Sequence, residues 1–273
     1  MAGLLRRPLV LASLLVLAAV LFAAAFGPAL APHDPLAIHQ NEVNESSSAT
    51  YLLGTDEFGR DILSRLLIGI RPTILVGLFS TLIAAIGGTA LGIVGAYGKP
   101  TISYLIMRGV DIMLSFPAIL LALLAVGFWR SGVASLSVVI GVIFIPHFAR
   151  VAQSAALQTI RQEFVEAEHA MGAHYLRVVF RAILPNILSP LVVQGTLTIA
   201  AAVLLESGLS FLGLGIVPPT PSWGQMIGNA RGYLGQNPMY VVWPSACLAL
   251  TVLSINILGD ALRDRLDPRL RQQ

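Results

Sequence analysis

Charge is what this sequence has least of. Of its 273 residues only 11% are Asp, Glu, Lys or Arg, less than half of the ~25% usual in soluble domains. Lysine is all but missing, and Lys99 is the only one. A nucleotide-binding P-loop requires G-x-x-x-x-G-K-[ST]. The one Gly-Lys pair, Gly98-Lys99, has Ile93 at the first glycine position and Pro100 at the Ser/Thr position. Any ATP this chain depends on is therefore hydrolysed by another subunit. Cysteine occurs once, as Cys247 within an apolar run, which excludes an internal disulfide and reads as a packed, inert thiol. No Lys/Arg cluster forms a stripe, so nucleic acid is not an expected partner.

Chemistry-bearing patterns are equally scarce. Gly208-Leu209-Ser210-Phe211 is followed by Leu212 where a nucleophile elbow needs glycine. Gly213-Leu214-Gly215 runs into Pro218, so it is not a dinucleotide loop. His33 and His39 have no cysteine or further histidine beside them and read as solvated loop residues rather than metal ligands. The sequence offers no catalytic residue, no metal site and no cofactor of its own.

What it has in abundance is apolar length. Hydrophobic residues make up 56% of the chain, and several runs reach the ~20 residues that cross a bilayer as helix. The expected fold class is an all-α polytopic membrane protein with about six transmembrane helices. The runs are Leu9 to Ala31, Ile74 to Ala96, Ile112 to Trp129, Val133 to Phe148, Ile187 to Leu205 and Val241 to Leu258. Ala29-Leu30-Ala31 resembles a signal cleavage site, but Pro32 just after it blocks cleavage and the run exceeds a usual signal core. It reads as an uncleaved first span. Ala84, Gly88, Gly92 and Ala96 recur every fourth residue, a small-residue stripe that admits another helix closely.

Between the runs lie three polar segments of interest. Pro32 to Arg71 carries the acids Asp34, Glu42, Glu45, Asp56, Glu57 and Asp61 and closes with Leu53-Gly54-Thr55-Asp56-Glu57-Phe58-Gly59-Arg60-Asp61. Asp61 and Arg65 can pair at i,i+4. Ile62, Leu66 and Ile70 predict a short helix on the membrane surface before Pro72 opens the next span. Arg108 and Asp111, three apart at a span end, are expected to pair with each other. Glu206 is the most isolated acid in the apolar sequence; it faces either the outer headgroups, the favoured reading, or a translocation path together with Ser210. Trp223 is expected at the interface. Glu163 to Asn186 is the longest amphipathic, charged stretch. Phe164, Ala167, Ala170 and Met171 share one helical face, Gly172 breaks the helix, and a second helix starts towards Leu176, Val179 and Ile183 and ends at Pro185. It reads as a docking element or as a surface helix in the headgroups.

Six spans with the N-terminus inside put twelve of the 17 Lys and Arg residues inside, among them Arg6, Arg7, Lys99, Arg150, Arg177 and Arg269. Arg60, Arg65, Arg71, Arg130 and Arg231 fall outside. This obeys the positive-inside rule, with both termini and Glu163 to Asn186 in the cytoplasm.

Three stretches carry a resemblance. Glu166-Ala167, Gly172 six residues after Glu166, and Ile183-Leu184-Pro185-Asn186 resemble the EAA loop of ABC-importer permeases, with Glu168 at the usual second alanine and His169 at the usual arginine. Leu53 to Asp61 resembles the LGTDxxGRD segment of the second-permease, C-type subunits of dipeptide, oligopeptide and nickel importers. The tail Gly259 to Arg269 is similar to the same family. The resemblance implies a type I-like importer domain in a bacterial inner membrane, multi-pass, with the first span and its loop in 1–72 and a permease core in 73–273. It implies a coupling loop at about 153–186, in which Glu163, Glu166, Ala167, Glu168, Gly172, Arg177 and Pro185 contact the ATPase. Asp56, Arg60 and Asp61 are candidates for an extracytoplasmic contact. The implied partners are a second homologous permease subunit, two cytoplasmic ABC ATPase subunits that bind ATP and Mg, and an extracytoplasmic substrate-binding protein. Short peptides are the expected cargo, nickel the runner-up. A stand-alone secondary transporter would have only Asp111 and Glu206 to work with.

Overall fold

The computed structural model describes residues 7–128 and 132–266. Arg6, Trp129, Arg130 and the tail from Asp267, including Arg269, lie outside the described residues. Helix follows helix: α1 Pro8–Leu30, α2 Ile62–Tyr97, α3 Pro100–Leu114, α4 Ala118–Phe128, α5 Val133–Ile160, α6 Glu163–Ala170, α7 Tyr175–Val178, α8 Leu184–Phe211, α9 Trp223–Ala230 and α10 Met239–Leu266. Among the described residues, strand pairing is limited to one isolated bridge, Thr55 with Asp61. Five helical stretches are long and apolar enough to cross a membrane, or six if the bent pair α3–α4 counts as one.

The centre is the pair α2 and α5. In lipid no hydrophobic force draws two helices together, so close backbone approach must hold them. The stripe on α2 provides it. A Cβ on Gly88 would lie 2.4 Å from the Phe148 Cβ and 2.5 Å from the Ile145 carbonyl oxygen. One on Gly92 would lie 2.5 Å from both the Ala149 carbonyl oxygen and the Ala152 Cβ. Ala149, Ala152 and Ala156 of α5 are fully buried in return. The most apolar window of α5 is 56% buried and that of α1 only 11%, which puts α5 inside the bundle and α1 at its rim against α2 and α10.

Four expectations change, and proline is behind each. The separate surface helix over 62–71 and the span from Ile74 are one helix of 36 residues, about 54 Å long. Pro72 lies inside it, so the division expected between residues 72 and 73 has no break in the chain to mark it. The Thr73 hydroxyl donates to the Gly69 carbonyl at 3.4 Å, and the buried Trp223 indole donates to the Leu66 carbonyl at 3.1 Å. Pro72 has no N–H to give the Ile68 carbonyl, and these two bonds brace the carbonyls on either side of it. Trp223 is buried against α2.

The third span is broken instead. α3 ends at Leu114, α4 starts at Ala118, and the two are bent by 93°. Pro117 has no N–H to continue the ladder and pushes Phe116 out of the helical region. The fourth span passes through Pro146 and continues to Ile160, so the polar loop proper begins at Arg161. Pro185 does not end a helix. It sits in the first turn of α8, where a missing N–H costs least. Val179–Ile183 immediately before it is a π turn, with the Leu184 N–H bonded to the Val179 carbonyl, and the Asn186 side chain donates to the Ala182 carbonyl at 2.7 Å. Residues 175–211 thus form one continuous helical rod.

Replacing Gly88 or Gly92 with leucine should unseat α5, because the new side chain would meet backbone that cannot give way. Overpacking of this kind costs about 1–3 kcal/mol. The expected outcome is a lowered Tm in detergent for both variants, with Gly109→Leu, where nothing lies within 4 Å of a Cβ, close to the parent.

Candidate functional site

Two clusters at opposite ends of the α2–α5 pair hold the residues that the sequence singled out. The first is the segment after α5. Glu163 and Glu166 fall in the first turn of α6 and His169 in its last, a placement that suits the helix dipole. Gly172 has φ +75°. There the Ala173 N–H bonds the Glu168 carbonyl at 3.0 Å and the Gly172 N–H bonds the His169 carbonyl at 2.9 Å. This is a Schellman closure, which ends a helix at a fixed angle and favours glycine at the left-handed position. The glycine turn read from the sequence is thus present, with a defined geometry.

Eight residues are too few for a stable isolated helix, so α6 depends on its anchors. Val165 is fully buried. The Tyr97 hydroxyl, at the end of α2, lies 2.6 Å from His169 Nε2, and the Tyr97 ring stacks on Tyr175 with centroids 4.5 Å apart. The face expected to be apolar points the other way. Phe164 is 46% exposed, Met171 77%, and Ala167 and Ala170 are exposed with them. Glu163, Glu166 and Arg177 are exposed around this face, as is Pro185, whereas Glu168 is half-buried and its Oε2 has no hydrogen-bond partner among the described residues. Tyr97 and Tyr175 were not foreseen. Their only sequence signal is an aromatic residue at the end of an apolar run.

The second cluster is the segment before α2. Asp61 does not pair with Arg65. It caps α2, accepting from the Leu63 and Ser64 N–H groups at 3.3 and 3.1 Å and from the Ser64 hydroxyl at 2.6 Å, while His33 Nδ1 lies 3.3 Å away. His33 is therefore tied to the helix start rather than solvated. Asp56 is fully buried and accepts from Arg60 Nε at 2.7 Å and from the Phe58 and Arg60 N–H groups. Arg65 Nε lies 3.2 Å from the same carboxylate, and Arg65 Nη1 donates to the Pro35 carbonyl. Glu57 completes the set, accepting from Arg60 Nη2, Asn229 and the Tyr240 hydroxyl, the last at 2.6 Å. Two arginines and two carboxylates thus neutralise each other inside the protein and bolt α9 and α10 to the start of α2. Nearby, the Tyr51 hydroxyl donates to Glu42 at 2.5 Å, and that hydrogen bond pushes the phenol up to about 12.

Asp56, Arg60 and Asp61 are accordingly buried, with their polar atoms turned inward. Glu206 is 0% exposed, so it does not reach the headgroups. Its oxygens accept from Ser210 at 2.7 Å and Ser207 at 3.3 Å, beside Thr73. The Ser210 hydroxyl in turn accepts from the Ile216 N–H at 3.1 Å, which folds the chain after α8 back onto its last turn. Asp111 pairs with Arg150 of α5, not with Arg108. A helix places i and i+3 on one face, but the nearer cation comes from the next helix.

Truncating one member of a buried ion network strands the other charges, which costs about 3–5 kcal/mol. Asp56→Asn should therefore lower the Tm of the purified protein markedly. Asp260→Asn, at an exposed position, should leave it within the scatter of surface substitutions, about 0.5 kcal/mol.

Comparison with known proteins fits this architecture. A family model described as the inner membrane component of binding-protein-dependent transport systems matches residues 88–272, and one described as the N-terminal TM domain of oligopeptide transport permease C matches residues 2–48. The chain is 39% identical to a di/tripeptide transport system permease protein, DppC, of Pseudomonas aeruginosa, over 96% of this chain and 88% of the relative. It is 39% identical to a glutathione transport system permease protein, GsiD, of Pectobacterium atrosepticum, over 85% of this chain and 77% of the relative. Among solved structures, an inward-facing MetNI methionine ABC transporter superposes with a TM-score of 0.63 at 24% identity, covering 74% of this chain and 96% of that one. The fold is that of an ABC-importer transmembrane subunit, and this chain belongs to the family of inner membrane components of binding-protein-dependent transport systems.

Proposed function

We propose that this chain forms half of the translocation pore of an ATP-driven importer of short peptides, and that α6 is the helix by which ATPase subunits drive it. One observation carries the reading: a short helix, fixed in angle by a Schellman closure and anchored on one side by Val165 and His169, presents Phe164, Ala167, Ala170 and Met171 to the outside. An exposed apolar face on a rigidly held element is the signature of a surface made for a partner. The exposed Glu163, Glu166 and Arg177 give that surface a charged rim, as interfaces have.

The partners are a second, homologous permease subunit, two cytoplasmic ABC ATPase subunits and an extracytoplasmic substrate-binding protein. The ATPases hold the ATP and Mg. Both termini and α6 face the cytoplasm, an orientation supported by the excess of basic residues on that side. Closure of the ATPase pair on ATP moves α6 as a lever, and the pore alternates between inward and outward states. A switch from 1:99 to 99:1 takes about 5.5 kcal/mol of differential binding, which ATP and the loaded binding protein supply together. The burial of Asp56, Arg60 and Asp61 favours a bracing role for them, with any binding-protein contact made by neighbouring exposed loop residues such as Phe58.

The names of the relatives support peptides over nickel. They are a di/tripeptide, a dipeptide and a glutathione permease, and glutathione is itself a tripeptide.

Uptake in a strain deleted for this gene tests the cargo. Labelled dipeptide, oligopeptide and nickel are offered in parallel, and loss of peptide uptake alone, restored by the gene, is expected. Loss of nickel uptake alone would overturn the cargo while sparing the transporter. The lever is tested by Gly172→Glu. Left-handed backbone costs a non-glycine residue roughly 1–2 kcal/mol, and nothing lies within 4 Å to clash with the new Cβ. The variant should reach the membrane at parental level yet lose at least tenfold in uptake; parental uptake would remove the coupling assignment.

A further inference from the structure

The last turn of α2 gathers several elements around one residue. Tyr97 holds α6 through His169, at 2.6 Å, and α7 through the stack on Tyr175, whose rings are inclined by only 24°. Two residues earlier, the Gly95 carbonyl accepts from Gln153 Nε2 of α5 at 3.2 Å and from the Ser103 hydroxyl of α3. Four helices therefore meet at one turn. Beside the stack, α2 and the α7–α8 rod stand apart around an open apolar groove of about 800 Å³, lined by Thr89 and Ile93 on one side and Leu184 and Leu188 on the other. The aromatic stack bridges that gap, and the His169 bond ties α6 to the same tyrosine.

The position of the bond matters as much as its length. His169 lies in the last turn of α6, directly before the Schellman closure, so it reports the angle at which α6 is held. Tyr97 is the final residue of a 36-residue helix that runs unbroken to the buried Asp56–Arg60–Arg65 network at the other end. A push on α6 that reached the bundle only through its flanking chain would act on α5 and α7. A push passed through Tyr97 acts on α2, and through Gly95 on α3.

We propose that Tyr97 is a positioning residue for transport: acting through His169, it passes displacement of α6 to α2 and α3. This rests on the reading of α6 as the ATPase-driven helix. The tie is local to this chain's chemistry, because it needs a ring nitrogen at 169 within reach of a phenol at 97.

The test uses the whole transporter in liposomes, with permease pair, ATPases and binding protein, and reads labelled dipeptide taken up per ATP hydrolysed. Tyr97→Phe keeps the stack and removes the hydroxyl; His169→Phe removes the other half; His169→Gln keeps a hydrogen-bonding group at similar reach. Each of the first two should lower uptake per ATP at least fivefold with the ATPases still bound. The Tyr97→Phe/His169→Phe double variant should be no worse than either single, and His169→Gln should keep more than half of the parental ratio. Ratios within twofold of the parent for both singles, or losses that multiply in the double, would overturn the proposal. Phe164→Glu separates the two readings. If it releases the ATPases while the Tyr97 variants couple normally, only the present inference fails. If the ATPases stay bound and uptake is unaffected, the docking role of α6 falls and this inference with it.

Discussion

Everything in this subunit is built out from the contact between α2 and α5. In water two such helices would be pressed together by their apolar surface. In lipid that force is missing, and what remains is dispersion between atoms that fit. Gly88 and Gly92 let the backbone of α5 come within van der Waals reach, and no longer side chain leaves room for it. The pair then acts as a spine. α5 delivers α6 at one end, and α2 starts in the ion network at the other. Helices rather than loops join the two ends.

The chain handles its few charges in two opposite ways. At the start of α2 they are consumed internally: Asp56, Glu57, Arg60 and Arg65 pair with one another and make polar bolts between segments. Around α6 they are left outside, bordering an apolar face. In the first case desolvation is repaid by a partner, and in the second the exposed Glu163, Glu166 and Arg177 do not demand it. Glu206 follows the first pattern, with serine hydroxyls as its partners and a chain reversal as the result.

Much of this was legible in the sequence. The apolar runs, the small-residue stripe on α2 and the glycine turn at Gly172 depend on local spacing, and local spacing is what a sequence displays. The failures share a cause. Pro72, Pro146 and Pro185 should each have been stops by local rules, yet helix continues through or around each of them, at Pro185 by way of the π turn before it. At Pro117 the helix does break. Asp61 and Arg65 had the right spacing to pair, but Asp61 was needed as a cap and Asp56 reached Arg65 through a loop that folds back. Asp111 likewise found Arg150 across a helix interface. The candidate site was half visible: the exposed face of α6 could be drawn on a helical wheel, while the Tyr97 and Tyr175 anchors join residues more than seventy positions apart.

The π turn at Val179–Ile183 has one more consequence. It accommodates one residue beyond what α-helical winding would use there, and each residue of an α-helix advances the azimuth by about 100°. The bearing of the segment before the turn, relative to α8, therefore depends on how many residues this turn contains. Losing a single residue between 179 and 182 would leave the motifs on either side intact, yet it would turn the preceding segment by about 100° about the rod, against the hold of Tyr97 on His169 and Tyr175. Chain length at this point is a form of addressing.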